Sequence, residues 1–180
     1  MKMKKINVID LDKTLIPYDT FRKLVIGKVL KGDFKLIFYT ILKIFNLINL
    51  RFYKKISIRH IMKKYSISDI NFFSNQVAKD IDSKVMDIIS KHTNIDTTNI
   101  ILSASPDFYV KKIALSLGWV GQGSYFLDNG DFVHLHGNQK INWILKNYDK
   151  KKYEYNFSIS DSKSDYELLD NFLKKKYWNN

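Results

Sequence analysis

Short apolar runs that end at polar residues recur along the chain and predict the strands of one sheet. The runs and the polar residues that end them are Ile6–Ile9 with Asp10, Asn99–Leu102 with Ser103, and Tyr155–Ser160 with Asp161. A segment that can form a helix follows each run. Strand, polar residue and helix in repeated order predict an α/β fold with a doubly wound parallel sheet. Ligands bind beyond the carboxyl ends of the strands in such sheets, so the three polar residues are expected to share one crevice.

The long segment between the first two predicted strands has a different pattern. It contains few prolines or glycines, and its apolar residues recur at helical spacing. This predicts a mostly helical insertion over residues 18–91, which would form a cap. The α/β core would then consist of residues 1–17 and 92–180.

Local signals predict where individual helices and turns lie. Glycine, proline and capping residues end or begin helices, and a cluster of Asp, Asn and Gly favours a hairpin turn. The predicted elements are a helix over Phe34–Leu50 after a break at Gly32-Asp33, a helix capped by Ser68 or Asp69, a helix over Phe108–Leu117 with Pro106 at its first position and Gly118 at its end, a hairpin turn at Asp128–Asp131, and a helix over Gln139–Asn147.

Positive charge is concentrated in the first half of the chain. The formal net charge is +12, and the segment Arg22–Lys64 holds twelve Lys or Arg residues against one acid, Asp33. A local positive field favours anionic partners, which include phosphate esters, anionic lipid surfaces and nucleic acid. The alternative interpretation is a solvated, lysine-rich surface.

Composition excludes several classes of site. The chain has no cysteine, so disulfides, thiolate metal sites and cysteine nucleophiles are excluded. The first apolar run is short and is interrupted by Asp10 and Asp12, which is not the pattern of a signal peptide. No stretch offers about 18 uncharged apolar residues, so no membrane-spanning helix is expected. We therefore expect a cytoplasmic protein, with peripheral contact at the inner membrane face as a further hypothesis.

The strongest chemical signal is the sequence Asp10-Leu11-Asp12-Lys13-Thr14 directly after the first strand. Two carboxylates two residues apart at a strand end suit a divided task in phosphoryl transfer. Asp10 can attack phosphorus and carry the phosphoryl group as an acyl phosphate. Asp12 can protonate the leaving alcohol and then deprotonate the attacking water. The alternative is an ordinary polar turn after a strand.

Weaker signals follow along the chain. The Ser103 hydroxyl and the N–H of the next residue, Ala104, could hold a phosphate oxygen at a helix start. Lys140 could offset the aspartates and bind a phosphate oxygen, although the default for one lysine among many is a surface role. Asp161 and Asp165 could bind or orient Mg²⁺, and the alternative for both is capping of a helix N-terminus.

Together these motifs resemble the haloacid dehalogenase superfamily. The order agrees: Asp-x-Asp-x-Thr, then Ser after a strand, then Lys, then Asp-x-x-x-Asp. The resemblance spans Val8–Leu169. Within the superfamily the branch that contains phosphoserine phosphatases and related small-molecule and lipid phosphatases is the most similar, because Ile101–Phe108 and Ser160–Asp165 look like that branch's motifs. The resemblance implies a Rossmann-like core with a helical cap inserted after the first motif.

The resemblance also implies a role for each candidate residue. Asp10 would be the nucleophile and Asp12 the acid/base. Mg²⁺ would be coordinated by the Asp10 carboxylate, by Asp161 and by the main-chain carbonyl of Asp12. Phosphate would be bound by Ser103, Ala104, Lys140 and Thr14; Thr14 would also brace the first loop, and Asp165 would support the metal or Lys140. Family members that act on phosphate esters carry the second acid, and true dehalogenases lack it. Asp12 therefore points to a Mg²⁺-dependent phosphatase.

The sequence departs from the branch in two places. Phosphoserine phosphatases place a glutamate soon after the first motif, and Pro17–Phe21 contains none, which argues against phosphoserine as the substrate. The family core also has a further strand after the last acidic motif. Only residues 170–180 are left for it here, so an abbreviated sheet edge is expected.

The basic, apolar cap suggests that the substrate is a lipid phosphate and that the cap contacts an anionic membrane. The resemblance to bacterial phosphatidylglycerophosphate phosphatases points the same way. Three alternatives stay open: a cap whose apolar faces only pack on each other and on the core, a sugar-phosphate or nucleotide phosphatase, and a catalytically vestigial protein that binds anionic lipid or nucleic acid. Nucleic acid is the less favoured partner, because a pure binder does not need three clustered acids.

Overall fold

The protein is described here by a computed structural model that covers residues 3–178. The strands are β1 (Lys4–Ile9), β2 (Thr97–Pro106), β3 (Val120–Phe126), β4 (Phe132–Val133), β5 (Tyr153–Ser160) and β6 (Lys174–Tyr177). The helices are α1 (Thr20–Val29), α2 (Phe34–Ile44), α3 (Leu50–Lys64), α4 (Ile67–Ala78), α5 (Ser83–Ser90), α6 (Asp107–Ser116), α7 (Asn138–Asn147) and α8 (Tyr166–Asp170).

Within the described residues the six strands form one sheet in the order β4-β3-β2-β1-β5-β6. β1 lies at the centre and pairs in parallel with β2 and β5. β3 and β6 extend the sheet in parallel, whereas β4 runs antiparallel to β3. Parallel neighbours need crossover connections, which helices provide here. The predicted α/β fold with a doubly wound, Rossmann-like parallel sheet is confirmed, and the three predicted strands are β1, β2 and β5.

β1 is buried on both faces, as a central parallel strand should be. Ile6 and Val8 pack with Ile100 in one apolar cluster, and Ile9 packs with Ile101 in another. Each buried Ile or Val contributes about 1.5–3 kcal/mol of transfer free energy. A slip of one residue would exchange the two faces, so this burial fixes where the residue after the strand lies.

Three asparagines connect the central strands inside the sheet. Asn156 of β5 donates to Asn7 of β1, with Nδ2 and Oδ1 2.8 Å apart, and Asn7 donates to Asn99 of β2 over 2.9 Å. Asn156 also donates to the main-chain carbonyl of His92 over 2.9 Å. Buried amides that satisfy one another favour one register. The strands whose carboxyl ends carry the candidate site are therefore aligned by polar contacts as well as by apolar packing.

Five helices, α1 to α5, lie between β1 and β2. They share an apolar cluster with the sheet, in which Phe21 and Ile61 of the helices occur together with Ile9 and Ile101 of the strands. The boundaries of the cap at residues 18 and 91 stay a prediction. Within residues 3–178, no helix has the length and apolarity that crossing a membrane requires.

The helix predicted over Phe34–Leu50 is wrong in its extent. α2 ends at Ile44, and a separate helix, α3, follows a short turn. Asn46 in this turn adopts a left-handed φ of 55°, and the Asn49 side chain accepts a hydrogen bond from the main-chain N–H of Phe52 over 2.8 Å. The apolar pattern runs through the turn without a break, so periodicity did not reveal it.

Two other helix starts differ slightly from the predictions. Ser66, rather than Ser68 or Asp69, caps α4: its hydroxyl accepts from the Asp69 N–H over 3.1 Å, and the Asp69 carboxylate accepts from the Ser66 N–H over 3.0 Å. This is a reciprocal capping box. Pro106 ends β2 and occupies the cap position of α6 instead of its first helical position.

The second half of the chain agrees more closely with the predictions. β3 and β4 form the expected hairpin, with the Leu127 N–H donating to the Asp131 carbonyl over 2.9 Å. Gly118, at a φ of 70°, follows the end of α6. The last strand, β6, is four residues long and pairs with β5, so the family's additional strand is present in short form.

Candidate active site

The predicted site residues meet at the carboxyl edge of the sheet. Asp10 directly follows β1, and Asp161 directly follows β5. Ser103 differs from the prediction, because it lies inside β2, which continues to Pro106. The hydroxyl of Ser103 and the N–H of Ala104 therefore belong to a strand, and the predicted helix start at this point is wrong.

Lys140, at the start of α7, links two of the predicted carboxylates. Its Nζ lies 2.6 Å from Asp10 Oδ1 and 2.6 Å from Asp165 Oδ2. Ser160, the last residue of β5, donates its hydroxyl proton to the same Asp165 oxygen over 2.7 Å. Lys140 is 3% exposed and Asp165 is 1% exposed. The surface role that is the default for a lysine does not apply here, since a buried ammonium needs such partners.

Burial controls the protonation of this group. It disfavours the charged form of Asp10, and Asp165 and Asp12 act in the same direction, so the pKa of Asp10 rises to about 7 although Lys140 opposes the change. Burial also disfavours charged Lys140, but its contacts with Asp10 and Asp165 outweigh this and raise its pKa above the usual range. Lys140 is therefore a fixed cation in a cluster with excess negative charge.

Four donors hold the Asp12 carboxylate. The N–H and the hydroxyl of Thr20, at the start of α1, each lie 2.6 Å from Oδ1. Ser105 and Ser103 of β2 donate to Oδ2 over 2.6 and 3.1 Å. Thr20 also lies 2.8 Å from the hydroxyl of the buried Tyr109 of α6. The carboxylate is thus oriented by two separate elements, α1 and β2, and Tyr109 of α6 contacts one of its donors.

Thr14 connects the loops that follow β1 and β5. Its hydroxyl accepts from the Asp161 N–H over 2.9 Å and lies 3.4 Å from Asp10 Oδ2 and 3.3 Å from Asp161 Oδ1. The turn that brings it there is tight, because Lys13 adopts a left-handed φ of 58°, which is uncommon outside glycine. Asp10 and Asp161 therefore lie on either side of one hydroxyl group.

Ala104 brings a residue of the helical insertion to the site. Its carbonyl accepts from Lys54 Nζ over 3.1 Å and from the Ser124 hydroxyl over 2.8 Å. Lys54 belongs to α3 and is 9% exposed. Burial lowers its pKa, and the charges of Asp12 and other nearby acids counteract the shift. A second buried lysine thus lies near the carboxylates, on an element other than the sheet.

Sequence reasoning missed four residues that contact the predicted ones: Thr20, Lys54, Ser105 and Ser160. Ser105 and Ser160 lie inside the quoted motifs, so their spacing on β2 and β5 could have indicated them. Nothing in the local pattern sets Thr20 apart from other helix-starting threonines. Lys54 is one of twelve basic residues in its segment.

The donor atoms of the site fit Mg²⁺, which prefers oxygen ligands and keeps several waters. Burial raises the pKa of Asp161, as it does for Asp10, so an added cation would stabilise both carboxylates. Within residues 3–178 no three His, Asp or Glu side chains form a cluster suited to a metal. The ligand set implied by the family resemblance has only two carboxylates, and its third protein ligand would be the main-chain carbonyl of Asp12.

Solved structures share this fold at low sequence identity. A protein of unknown function from Bordetella pertussis Tohama I matches with a TM-score of 0.72 and 12% identity, covering 97% of this chain and 89% of that one. A phosphoserine phosphohydrolase-like protein from Francisella tularensis subsp. tularensis SCHU S4 gives 0.55 and 20%, with 93% and 82% covered. A phosphoserine phosphatase described as a phospho-aspartyl intermediate analogue gives 0.51 and 16%, with 97% and 86% covered. Such likeness shows the fold.

No curated protein sequence matches the chain significantly. A sequence-family model does, and its description is haloacid dehalogenase-like hydrolase. The match covers residues 8–170, which include Asp10, Asp12, Lys140 and both acids after β5. The resemblance in the motifs, the sheet with its loops at one edge and the family match agree, and the chain belongs to the haloacid dehalogenase-like hydrolase family.

Proposed function

We propose that the protein is a phosphatase that hydrolyses phosphate monoesters through an aspartyl-phosphate at Asp10. The observation that supports this most is the buried contact of Asp10 with Lys140. Two residues after Asp10, four donors hold the carboxylate of Asp12. A nucleophile beside a fixed cation and an acid/base on the same turn suit phosphoryl transfer. Membership in a hydrolase family and a fold shared with a phosphoserine phosphatase agree with it.

In the first half of the reaction an Asp10 carboxylate oxygen attacks phosphorus. A bond forms between phosphorus and Asp10, the bond to the ester oxygen breaks, and the leaving oxygen takes a proton from Asp12. Asp12 must hold that proton beforehand. Three of its four donors are the hydroxyls of Thr20, Ser103 and Ser105, which can also accept hydrogen bonds, so the same contacts accommodate both states.

In the second half water attacks the phosphorus of the aspartyl-phosphate. Asp12 takes a proton from that water, the bond between phosphorus and Asp10 breaks, and phosphate leaves. The Asp10 carboxylate and the proton on Asp12 are then restored for the next cycle. One residue therefore acts first as acid and then as base, which its position between α1 and β2 allows in both steps.

The remaining residues would hold the phosphoryl group and the metal. Lys140, Thr14, the Ser103 hydroxyl and the Ala104 N–H are the proposed phosphate ligands, and Asp165 fixes Lys140. Asp10, Asp161 and the main-chain carbonyl of Asp12 are the proposed Mg²⁺ ligands. When bound, the metal would neutralise charge on the transferring group.

The proposal can be tested by comparing the wild type with Asp10→Asn in phosphatase assays. The substrates are para-nitrophenyl phosphate, glycerol phosphates, sugar phosphates and nucleotides. We expect Mg²⁺-dependent activity in the wild type that is lost on chelation and in the variant. Equal activity of the two proteins would overturn the role of Asp10. Binding of nucleic acid or lipid without any phosphatase activity would favour the catalytically vestigial alternative.

An uncovered apolar face on α2 favours a lipid phosphate as the substrate. Phe34 and Phe38 of α2 are 82% and 56% exposed, and their spacing places them on one side of the helix; Phe45, directly after the helix, is 71% exposed. No acidic residue occurs over residues 34–68. We propose that the cap rests on the cytoplasmic face of an anionic membrane through this surface. Inward packing, the alternative for the cap, applies to residues such as the fully buried Leu36 but not to these three.

Flotation with vesicles of phosphatidylglycerol and phosphatidylcholine at physiological salt tests the membrane contact. We expect the wild type to float and the double variant Phe34→Ser/Phe38→Ser to stay at the bottom. Leu115→Ser is the matched control, because Leu115 is 76% exposed on α6. A wild type that does not float, or a double variant that floats equally, would contradict the contact and leave sugar phosphates and nucleotides as the substrates to pursue.

A further inference from the structure

A cavity of about 740 Å³ lies between α3 and the segment that runs from β4 to the start of α7. Arg51, Phe52 and Lys55 line it from α3, and His134 and His136 line it from the opposite side. This volume is within the usual range for small-molecule sites of about 300–1,000 Å³. None of these five residues has a role in the chemistry proposed above.

Two segments of the chain connect the wall of the cavity with the candidate active site. Lys55 follows Lys54, whose Nζ donates to the Ala104 carbonyl over 3.1 Å. His136 Nε2 lies 3.3 Å from the hydroxyl of Ser164, which belongs to a short 3-10 helix (Lys163–Asp165) after β5. A molecule with one group at the carboxyl edge of the sheet could therefore place another group in the cavity along these segments.

The walls of the cavity carry positive charge that the protein does not neutralise. Within residues 3–178, Lys55 has no hydrogen-bonding or ion-pairing partner. Arg51 uses one N–H for the Phe132 carbonyl over 3.3 Å. Asp131 also lines the cavity, but its carboxylate accepts from Asn129 over 2.9 Å and pairs with neither cation.

Burial and nearby positive charges lower the pKa of both histidines in the cavity wall. Burial, followed by the charges of Lys54, His136 and Arg51, lowers the pKa of His134 to about 3. Burial and the charge of Lys140 also lower the pKa of His136. His134 Nε2 is buried and has no hydrogen-bond partner among the described residues. Both imidazoles are therefore neutral, and Arg51 and Lys55 supply the positive charge of the cavity.

We propose that this cavity binds a second phosphate group of the substrate while the scissile phosphate lies against Asp10. The inference rests on the phosphatase function proposed above and specifies its substrate class: a phosphate monoester that carries another phosphate. Arg51 suits a phosphate because its planar guanidinium can donate two parallel hydrogen bonds, and Lys55 adds a point charge. A substrate with a single phosphate would leave both cations without an anionic partner.

Two substrates that differ only in the second phosphate test the inference. For the wild type we expect kcat/KM for 1,3-propanediol bisphosphate, after correction for its two equivalent ends, to exceed that for propyl phosphate by about tenfold or more. In Arg51→Gln/Lys55→Gln this ratio should fall to about one. Lys63→Gln, an exposed lysine of α3 that does not line the cavity, should keep the wild-type ratio. Equal efficiency for the two substrates in the wild type, or an unchanged ratio in the double variant, would overturn the inference.

The single variant Lys55→Gln is the control for folding. Arg51 also contacts the Phe132 carbonyl, whereas Lys55 contacts no partner among residues 3–178. Its circular dichroism should match the wild type, and its ratio should lie between those of the wild type and the double variant. A ratio equal to that of the wild type would exclude Lys55 from the subsite.

Binding without turnover separates this inference from the proposed function. Isothermal titration should show propane-1,3-bisphosphonate binding the wild type about tenfold more tightly than propylphosphonate, with the difference lost in the double variant. If neither ester is hydrolysed but this preference is measured, the phosphatase proposal fails and the anion subsite stands. If both esters are hydrolysed equally and both phosphonates bind equally, the subsite fails and the phosphatase stands.

Discussion

Charged groups at the carboxyl edge of the sheet are paired within the chain, whereas the helical insertion exposes apolar side chains and has, within residues 3–178, an unpaired cation. At the edge, Lys140 lies between Asp10 and Asp165, and Asp12 has four donors. On the insertion, apolar side chains such as Phe34 are exposed, and Lys55 of α3 has no partner in the described part of the chain. The edge is organised within the chain itself, as a preorganised catalytic site must be. The insertion has surfaces that only a ligand or partner would complete, so the two regions should respond differently to mutation.

Lys140→Met should have the largest effect on stability and activity, and it acts at the carboxyl edge. It leaves Asp10 and Asp165 buried without their cation, which should cost about 3–5 kcal/mol of unfolding free energy. It also removes a proposed phosphate ligand, so kcat should fall about 10²–10³-fold. Urea unfolding and steady-state kinetics measure both effects.

The double variant Lys140→Met/Asp165→Asn is the control for the charge. Removing one of the two unpaired carboxylates should restore part of the stability but none of the activity. If Lys140→Met alone kept wild-type activity, the edge would not depend on its fixed cation.

Asp33→Asn should produce the next largest change, and in the insertion. The buried Asp33 carboxylate accepts from Tyr65 over 2.6 Å and from His60 over 3.0 Å, and it pairs with Lys64 over 3.0 Å. Burial disfavours its charged form, but these contacts outweigh burial and lower the pKa of Asp33 below its ordinary value of 3.8. Loss of the charge should cost about 2–4 kcal/mol of unfolding free energy at neutral pH.

The stabilisation that the Asp33 charge provides should depend on pH. Because the folded-state pKa of Asp33 is depressed, its charge stabilises the fold above the ordinary pKa of 3.8, and this stabilisation is lost as the pH falls towards the folded-state value. The difference between wild type and Asp33→Asn should therefore shrink below that pH. Asp128→Asn, in the exposed turn between β3 and β4, is the control and should change little. A difference that does not vary with pH would contradict the ionic origin.

Thr20→Val should have a smaller effect that falls mainly on catalysis. It removes one of the four donors to Asp12 and leaves the Thr20 N–H in place. As a positioning residue, Thr20 should affect kcat, about 10–100-fold, and shift the pH–rate profile, with little effect on KM. Thr40→Val is the matched control, because its hydroxyl meets Tyr53 within the insertion. An unchanged pH–rate profile would show that Thr20 does not act through Asp12.

Phe38→Ser should have the smallest effect on folding, below about 0.5 kcal/mol, since its ring is already 56% exposed. Leu36→Ala in the same helix should cost about 2–5 kcal/mol, because Leu36 is fully buried. Urea unfolding of the two variants compares them directly. A large loss of stability in Phe38→Ser would show that the exposed face packs within the fold.

The sequence predicted the edge well because its signals are local. Asp10 and Asp161 directly follow buried apolar runs, and parallel strands bring their carboxyl ends to one edge of a sheet. Lys140 needed more than local pattern, since its burial depends on α7 packing beside two loops. Family resemblance supplied its role, and the contacts with Asp10 and Asp165 are consistent with that role.

Contacts between elements that are distant along the chain could not be predicted from the sequence. Thr20 meets Asp12, and Lys54 meets Ala104, only after α1 and α3 have packed against β2. The turn at Asn46 was missed for a different reason. The apolar pattern continues through it, and a left-handed residue in an otherwise helical sequence leaves no periodic signal.

In the proposed reaction Asp10 carries the phosphoryl group during turnover. The most direct measurement is to quench the enzyme in acid while it hydrolyses para-nitrophenyl phosphate, reduce it with borohydride, digest it and sequence the peptide around Asp10 by mass spectrometry. Borohydride converts an aspartyl-phosphate to homoserine, so homoserine should replace Asp10 in the sample with substrate and not in one without. Unmodified Asp10 in an enzyme that is turning over, or reduction at another aspartate, would contradict the mechanism.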